Sequence, residues 1–160
     1  MNSLDLLNQW TKYSGIHRKQ EEQNERTYTF MFGERFPVSV EAPAYSDDIF
    51  ITIELAEAGT GYIRRRRFEI AMNLNAYALE TRGGTIGWDS INKRIILAYR
   101  VNTNSTKVEI LDNMIANLIE VAENLQPLLA LKQQQEKAEA FNSRYDALFQ
   151  PIACQQSKKF

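Results

Sequence analysis

Hydrophobic positions recur with the spacing of a helix near both ends of the chain. A short amphipathic helix is predicted between Ser3, which can cap its first turn, and Gly15, which can end it. Its apolar positions are Leu6, Leu7, Trp10 and Tyr13. A longer helix is predicted from Thr106, which with Glu109 has the spacing of a capping box. Its apolar stripe consists of Val108, Leu111, Ile115, Leu118, Ile119, Ala122 and Leu125.

Between these helices the apolar positions alternate, which is typical of strands with one buried face. The alternation predicts a hairpin of strands over 27–32 and 38–41, and then a third strand over 49–55 with one strongly aliphatic face. A second hairpin is predicted over 85–88 and 94–101, directly before the long helix. The chain therefore contains five predicted strands, grouped three and two.

One further helix is predicted between the third and fourth strands. Gly59 and Gly61 close the third strand, and the helix is expected to end at Gly83-Gly84, where positive φ is easily adopted. Its predicted face carries Phe68, Met72, Asn75, Ala76 and Leu79. Its start carries the arginine run Arg64, Arg65, Arg66 and Arg67. Exposed cations at a helix N-terminus oppose the macrodipole by a few tenths of a kcal/mol each.

The predicted order of elements is αβββαββα. Grouped hairpins with helices on one face favour an α+β fold over a doubly wound sheet. We expect a twisted, mainly antiparallel five-stranded sheet packed against helices. Residues 1–131 are predicted to form this domain, followed by a Gln- and Lys-rich tail over 132–160 that is partly helical or disordered. The polar segment 17–26 is predicted to be a solvated loop or a frayed helical extension.

Composition and charge narrow the classes of protein. The chain has 160 residues with a net charge of −1, so no overall field attracts nucleic acid or an anionic membrane. Its one cysteine, Cys154, allows no intramolecular disulfide and fits a reducing cytosol. No stretch resembles a signal peptide or approaches the length of a membrane span. We expect a soluble cytoplasmic protein.

Catalytic and metal-binding patterns are missing from the sequence. His17 is the only histidine, so neither a nucleophilic triad nor zinc-ligand spacing can be assembled. The pair Asp47-Asp48 lies in turn-like sequence, and Gly59-Thr60-Gly61 is far short of a phosphate-binding loop. We therefore predict no catalytic residue, no metal site and no enzyme activity. Function is expected to depend on a binding surface.

Three segments of the second half resemble the class I type III secretion chaperones, also called the Tir chaperone family. These segments are FEIAMNLNAYALETRGGTIGWD, RIILAYRV and EILDNMIANLIEVAENL. Asn75, Gly83, Gly84, Asp89 and the aliphatic segment 95–99 stand at the positions where the family has its helix asparagine, glycine turn, acidic strand end and aliphatic strand. The resemblance covers 68–126 in detail and 1–131 in outline.

The resemblance implies a chaperone that binds the N-terminal region of secreted effector proteins in the bacterial cytosol. Such a chaperone keeps the effector segment soluble and competent for secretion, and it uses neither a cofactor nor ATP. The implied partners are the effector, a second copy of the chain in a homodimer and the export ATPase, with no nucleic acid and no membrane. Members of the family are typically acidic, whereas this chain is close to neutral.

The resemblance also places the contact surfaces on particular elements. An effector groove built from the first helix and first three strands would contain Leu7, Trp10, Phe30, Phe32, Val38, Val40, Ile51 and Ile53. The alternation alone assigns about two thirds of these to the core. Phe50 and Met31 lie opposite the aliphatic stripe and would be exposed if that stripe faces the core. The expected dimer interface includes Leu74, Tyr77, Ile86 and Trp88.

The arginine run leaves two alternatives open. With Tyr62 and Phe68 as flanking aromatic residues, it could form a nucleic-acid-binding site, although the balanced net charge makes a poor electrostatic footprint. A regulatory or adaptor domain that shares the fold is the other alternative. Within the chaperone interpretation, the run either attracts an acidic partner segment or is simply a solvated helix start.

Overall fold

A computed structural model describes residues 2–15 and 25–130, which form three helices and five strands. The elements are α1 (Ser3–Tyr13), β1 (Thr27–Phe32), β2 (Phe36–Glu41), β3 (Asp48–Glu57), α2 (Gly61–Asn75), β4 (Thr85–Asp89), β5 (Arg94–Asn102) and α3 (Val108–Leu129). The predicted order αβββαββα and the α+β class are confirmed. The predicted tail over 132–160 and most of the polar segment 17–26, including His17, lie outside the described residues.

The strands form one antiparallel sheet in the order β1-β2-β3-β5-β4. Its aliphatic face is the core face, because Ile49, Ile51, Ile53 and Leu55 of β3 are all buried. Helices α1 and α3 pack on this face and on each other. The opposite face carries Phe50 and its polar neighbours, and no helix of the described residues covers it.

Helix α3 closes the core as its apolar stripe predicts. Its buried side chains are Leu111, Ile115, Leu118, Ile119, Val121, Ala122, Leu125 and Leu129. Each Leu, Ile or Val side chain among them contributes on the order of 1.5–3 kcal/mol when buried. Trp10 of α1 fixes the angle between the two helices, because its indole N–H donates to the Asp112 carboxylate at 2.9 Å. The Trp10 ring also meets Tyr28 of β1 edge to face, with 5.8 Å between centroids.

Both predicted helix caps are wrong. Ser3 is buried and its hydroxyl donates to the Ser46 carbonyl, so the side chain of Asn2 caps α1 instead, accepting from the Asp5 N–H at 2.8 Å. Helix α3 begins after Lys107 without any side-chain cap. The Thr106 hydroxyl donates to a carbonyl at the end of β5 and does not close a capping box. In both cases the hydroxyl donates to a backbone carbonyl outside the helix, 43 residues away for Ser3 and four residues away for Thr106.

The predicted limits of α2 are also wrong. The helix begins at Gly61, which the alternation assigned to the end of the third strand, and it ends at Asn75, well before Gly83-Gly84. Ala78 and Arg82 both have positive φ in the turn that follows. Met72 and Leu79, predicted to share one helix face with Phe68, are both exposed, Leu79 lies beyond the end of the helix, and α2 buries only Ala71.

The second glycine of this turn is required by packing. A Cβ on Gly84 would lie 2.8 Å from Leu97 Cδ1 and 3.1 Å from the Thr81 carbonyl oxygen. The turn can therefore approach β5 only where residue 84 has no side chain.

Candidate protein-binding surfaces

The outer edge of β1 is open, because no other strand of the described residues pairs with it. Next to this strand, the Ala42 N–H donates to the Arg26 carbonyl at 2.8 Å, so these two residues form a hydrogen-bonded pair of the β1–β2 ladder. In an antiparallel ladder such pairs alternate with pairs that are not hydrogen-bonded. The N–H and C=O groups of Thr29 and Met31 therefore point away from β2, toward the open edge.

The position of Pro37 agrees with this pattern. Pro37 lies opposite Met31 in β2 and has no N–H to donate. Its nitrogen points away from β1, and the β2–β3 register begins only at Val38, so the proline removes no hydrogen bond from either ladder.

The other edge of the sheet, β4, is covered at its centre by Asn75. The Asn75 side-chain amide donates to the Ile86 carbonyl at 2.9 Å, and its Oδ1 accepts from the Ile86 N–H at 2.8 Å. This asparagine therefore occupies the outward backbone groups of Ile86, one of the positions that an added strand would need. The β1 edge, where the backbone groups of Thr29 and Met31 point outward, is the better candidate for strand addition.

Six of the ten residues predicted to contact a partner are buried in the core. These are Leu7, Trp10, Val38, Val40, Ile51 and Ile53. They hold α1 and the sheet together, as the alternation indicated for most of the set, and they present no surface to a partner. The other four, Phe30, Met31, Phe32 and Phe50, are partly or fully exposed.

Three of these four residues lie along the open edge of β1. The side chains of Phe30 and Phe32 are on the core-face side, where the Phe30 ring lies 5.9 Å from that of Trp10 and Phe32 is 45% exposed. Met31 is on the opposite side and is 54% exposed. An added strand would therefore meet apolar surface on both sides of the sheet and unused backbone groups between them.

A second apolar surface surrounds the end of α2 and β4, and we call it the α2–β4 surface. It comprises Met72, Tyr77, Leu79, Trp88 and Ile91, of which Tyr77 is 83% and Ile91 is 87% exposed. Exposed apolar groups in such number are typical of interaction sites. Of the four predicted dimer residues, Tyr77 and Trp88 belong to this surface, Leu74 is half-buried and Ile86 is buried.

A rigid turn presents Ile91 on this surface. The Asp89 carboxylate accepts from the Asn92 side-chain amide at 2.6 Å and from the backbone N–H groups of Asn92 and Ile91 at 3.1 and 2.9 Å. The bond from the Asn92 side chain is the main cause that lowers the pKa of Asp89 below its ordinary value of 3.8, and the backbone donors add to it. The turn is therefore held by an ionised carboxylate.

The arginine run does not form a free basic patch. Arg67 donates from Nε to the carbonyl of the last residue of α3 at 3.0 Å and from Nη1 to the carbonyl of the last residue of β3 at 2.9 Å. Arg65 and Arg66 both pair with Glu69, at 3.6 and 3.1 Å. Three of the four arginines thus have partners within the domain, which weakens the nucleic-acid alternative.

Neither a metal centre nor a membrane span is found among the residues that the structure describes. No group of three or more His, Cys, Asp or Glu side chains is placed to hold an ion, and no helix is long and apolar enough to cross a bilayer. The surfaces described above are thus the features of this part of the chain that suggest a function.

Comparison with known families decides between the open alternatives. The family model of the Tir chaperone protein (CesT) family matches residues 5–126. The chain belongs to the Tir chaperone protein family. Because this is a family of chaperones, the chain is a chaperone and not an enzyme, and the resemblance read from the second half of the sequence is confirmed. Among curated proteins, none matches this Tir chaperone family member.

Solved structures share the fold of this Tir chaperone family member. They include the ExsC-ExsE complex, with a TM-score of 0.62 and 17% identity over 81% of this chain and 97% of that chain. The ExoU-SpcU heterodimeric complex from the type III secretion system of Pseudomonas aeruginosa has a TM-score of 0.57 and 17% identity over 78% and 98%. The HopA1-SchA chaperone-effector complex has a TM-score of 0.56 and 14% identity over 77% and 91%.

Sequence reasoning missed several residues of these surfaces. Met72 and Leu79 were predicted only as members of one helix face, and Ile91 was treated only as part of a turn. The outward backbone groups of Thr29 were not considered, although the place of Pro37 in the predicted hairpin is a signal for them. The bond of Arg67 to the Leu129 carbonyl has no signal in the sequence, because the two residues are 62 positions apart.

Proposed function

We propose that the chain is a type III secretion chaperone that binds the N-terminal region of secreted effector proteins in the bacterial cytosol. Membership of the Tir chaperone family supports this function, as does a fold shared with a chain of a chaperone-effector complex. Binding keeps the effector segment soluble and competent for secretion. The export ATPase, which receives the segment, is the further partner that this function implies.

The open edge of β1 is the observation that carries the proposal. We infer that an extended effector segment adds to this edge through the backbone groups of Thr29 and Met31, while Phe30 and Phe32 receive alternate apolar side chains. Ordering a flexible segment costs several kcal/mol, so backbone bonds and apolar contacts are both needed to offset it.

We further propose a homodimer formed through the α2–β4 surface. A two-fold interface uses the same patch on both copies, and the exposed Met72, Tyr77 and Trp88 supply the aromatic and Met side chains that are enriched in such patches. A dimer would leave the two β1 edges free, because β1 and β4 lie at opposite ends of the sheet. Each dimer would then hold two sites for extended segments.

A proline substitution tests the role of the β1 edge. Met31→Pro removes the outward N–H of residue 31 while leaving the β1–β2 ladder intact, since that N–H does not bond to β2. Met31→Thr is the matched control, because it keeps the N–H and favours a strand. Each variant is co-expressed with the N-terminal region of the protein encoded beside the chain, and the complex is purified and quantified.

We expect the wild type and Met31→Thr to yield a soluble complex and Met31→Pro to lose most of it while staying folded by circular dichroism. Equal capture by all three proteins would contradict strand addition at β1. A chain that captures no effector segment in any form would contradict the chaperone function itself.

A further inference from the structure

The turn between β1 and β2, the end of β3, helix α2 and the end of α3 surround a cavity of about 510 Å³, and its lining combines two arginines with apolar side chains. We call it the arginine cavity, and its lining includes Arg35, Arg67, Leu55, Ala56 and Pro127. We propose that it binds an acidic side chain of the effector segment. This inference rests on the proposed function, and it requires the effector segment to carry an acidic residue.

Hydrogen bonds within the domain hold the Arg67 side chain in one position in the absence of a partner. Its two hydrogen bonds to backbone carbonyls join the end of β3 to the end of α3 and use two of the five guanidinium N–H groups. The bond to the Leu129 carbonyl also offsets the negative partial charge at the end of α3. The remaining N–H groups can donate to a carboxylate without further ordering of the side chain.

Charge complementarity indicates that the group bound in the arginine cavity is negatively charged. The described lining of the cavity contains two guanidinium groups and no carboxylate, although the whole chain has a net charge of −1. Glu54 and Glu57, the two acids that flank Leu55 and Ala56 along the chain, both pair with Arg94, at 3.5 and 3.0 Å. An Asp or Glu side chain would place its carboxylate between Arg35 and Arg67 and its aliphatic stem against Leu55.

The cavity lies within reach of a strand added to β1. Arg35 belongs to the turn between β1 and β2, three positions after Phe32. A strand advances by about 3.3 Å per residue, so a segment bonded to Met31 reaches this turn within a few residues. We therefore expect effector segments to combine alternating apolar positions with one acidic residue at a fixed distance from them.

Selection from a random peptide library tests this requirement without knowledge of the natural effector. A displayed library of random 16-residue peptides, roughly the length of two strands, is selected against the full chain and against its Arg35→Glu variant. We expect peptides selected by the wild type to share alternating apolar positions and an Asp or Glu at a constant offset. Peptides selected by Arg35→Glu should keep the apolar alternation and lose the acid.

One selected peptide then gives the size of the effect. Replacing its acid by the matching amide should raise the dissociation constant about five- to tenfold at low salt, and the difference should shrink as salt is added. Arg35→Gln should remove the difference. Lys107→Gln should preserve it, because Lys107 lies at the far end of α3, on the order of 30 Å away.

The possible outcomes separate the two proposals. Apolar alternation without an enriched acid would overturn the arginine cavity as an acid site and leave strand addition intact. Selection without apolar alternation would overturn both. If the wild type and Arg35→Glu enrich the acid equally, the acid binds at another site. That result would overturn the arginine cavity as an acid site and leave strand addition intact.

Discussion

The two long helices, α3 and α2, differ in how many apolar side chains they bury. Helix α3 buries eight side chains against the sheet and α1, whereas α2 buries only Ala71. Partly buried apolar side chains such as Phe68 and polar contacts made by Arg67 and Asn75 attach α2 to the domain, and Met72 remains exposed. The core is therefore closed mainly by α1 and α3, and α2 leaves apolar surface for another protein chain.

The largest expected effect on the free energy of unfolding concerns the side chains that α3 buries. Leu111→Ala removes a fully buried side chain of α3 and should lower the free energy of unfolding by about 2–5 kcal/mol. Its neighbour Ile110 is 42% exposed, so Ile110→Ala should cost less than about 1 kcal/mol. Urea unfolding at one fixed protein concentration measures both. Equal losses would show that α3 does not bury the stripe assigned to it.

The polar attachment of α2 gives the next largest effect. Asn75→Ala leaves the Ile86 N–H and C=O without their partner and should destabilise the domain by about 1–3 kcal/mol. Asn75→Asp keeps the acceptor and loses the donor, so we expect an intermediate loss. Asn73→Ala, an exposed position two residues earlier, is the control and should change the unfolding free energy little. Identical results at positions 73 and 75 would argue against the role of Asn75.

A smaller effect on stability is expected at the exposed residues just after α2. Tyr77→Glu should leave the unfolding of the monomer nearly unchanged and raise the dissociation constant of the dimer at least about tenfold, because it places a charge in an apolar interface. Tyr45→Glu, at a similarly exposed tyrosine away from α2, should leave the dimer unchanged. Sedimentation analysis distinguishes the 18.5 kDa chain from its dimer. A monomeric wild type would refute this interface.

The smallest expected effect concerns the turn that presents Ile91. Because the pKa of Asp89 is lowered on folding, the stabilisation is complete above its ordinary value of 3.8 and is lost as pH falls through the lower folded value. NMR titration of the Asp89 carboxyl and of the Ile91 N–H should show a shared midpoint below 3.8, and Asp89→Asn should abolish it. A midpoint at or above the ordinary value would contradict the hydrogen-bonded turn.

Periodicity predicted the strands and α3 because burial there follows the repeat of the element. The alternation around Ile51 and the stripe around Leu118 both face the core that they were expected to face. The limits of α2 were not predictable in the same way, because the helix is held in part by contacts of Arg67 and Asn75 with backbone groups outside the helix. The cap of α1 was mispredicted for a related reason, since Ser3 bonds to Ser46 across the fold.

The candidate surfaces were predictable only in part. Residue type and alternation placed Met31 and Phe50 opposite the core face, where Met31 is exposed and Phe50 is half-buried. Which backbone groups of β1 point outward depends on the pairing of Arg26 with Ala42, and the arginine cavity depends on the β1–β2 turn, β3, α2 and α3, which meet only in the folded domain. Such features need the register and the tertiary contacts as well as the pattern.

Hydrogen exchange at the β1 edge tests the central claim most directly. In the free chain, the outward N–H groups of Thr29 and Met31 should exchange rapidly, whereas the Ile86 N–H, bonded to Asn75, should be protected. In the complex with a captured effector segment, we predict that Thr29 and Met31 become protected while Ile86 stays as it was. Unchanged rapid exchange of Thr29 and Met31 in the complex would contradict the account.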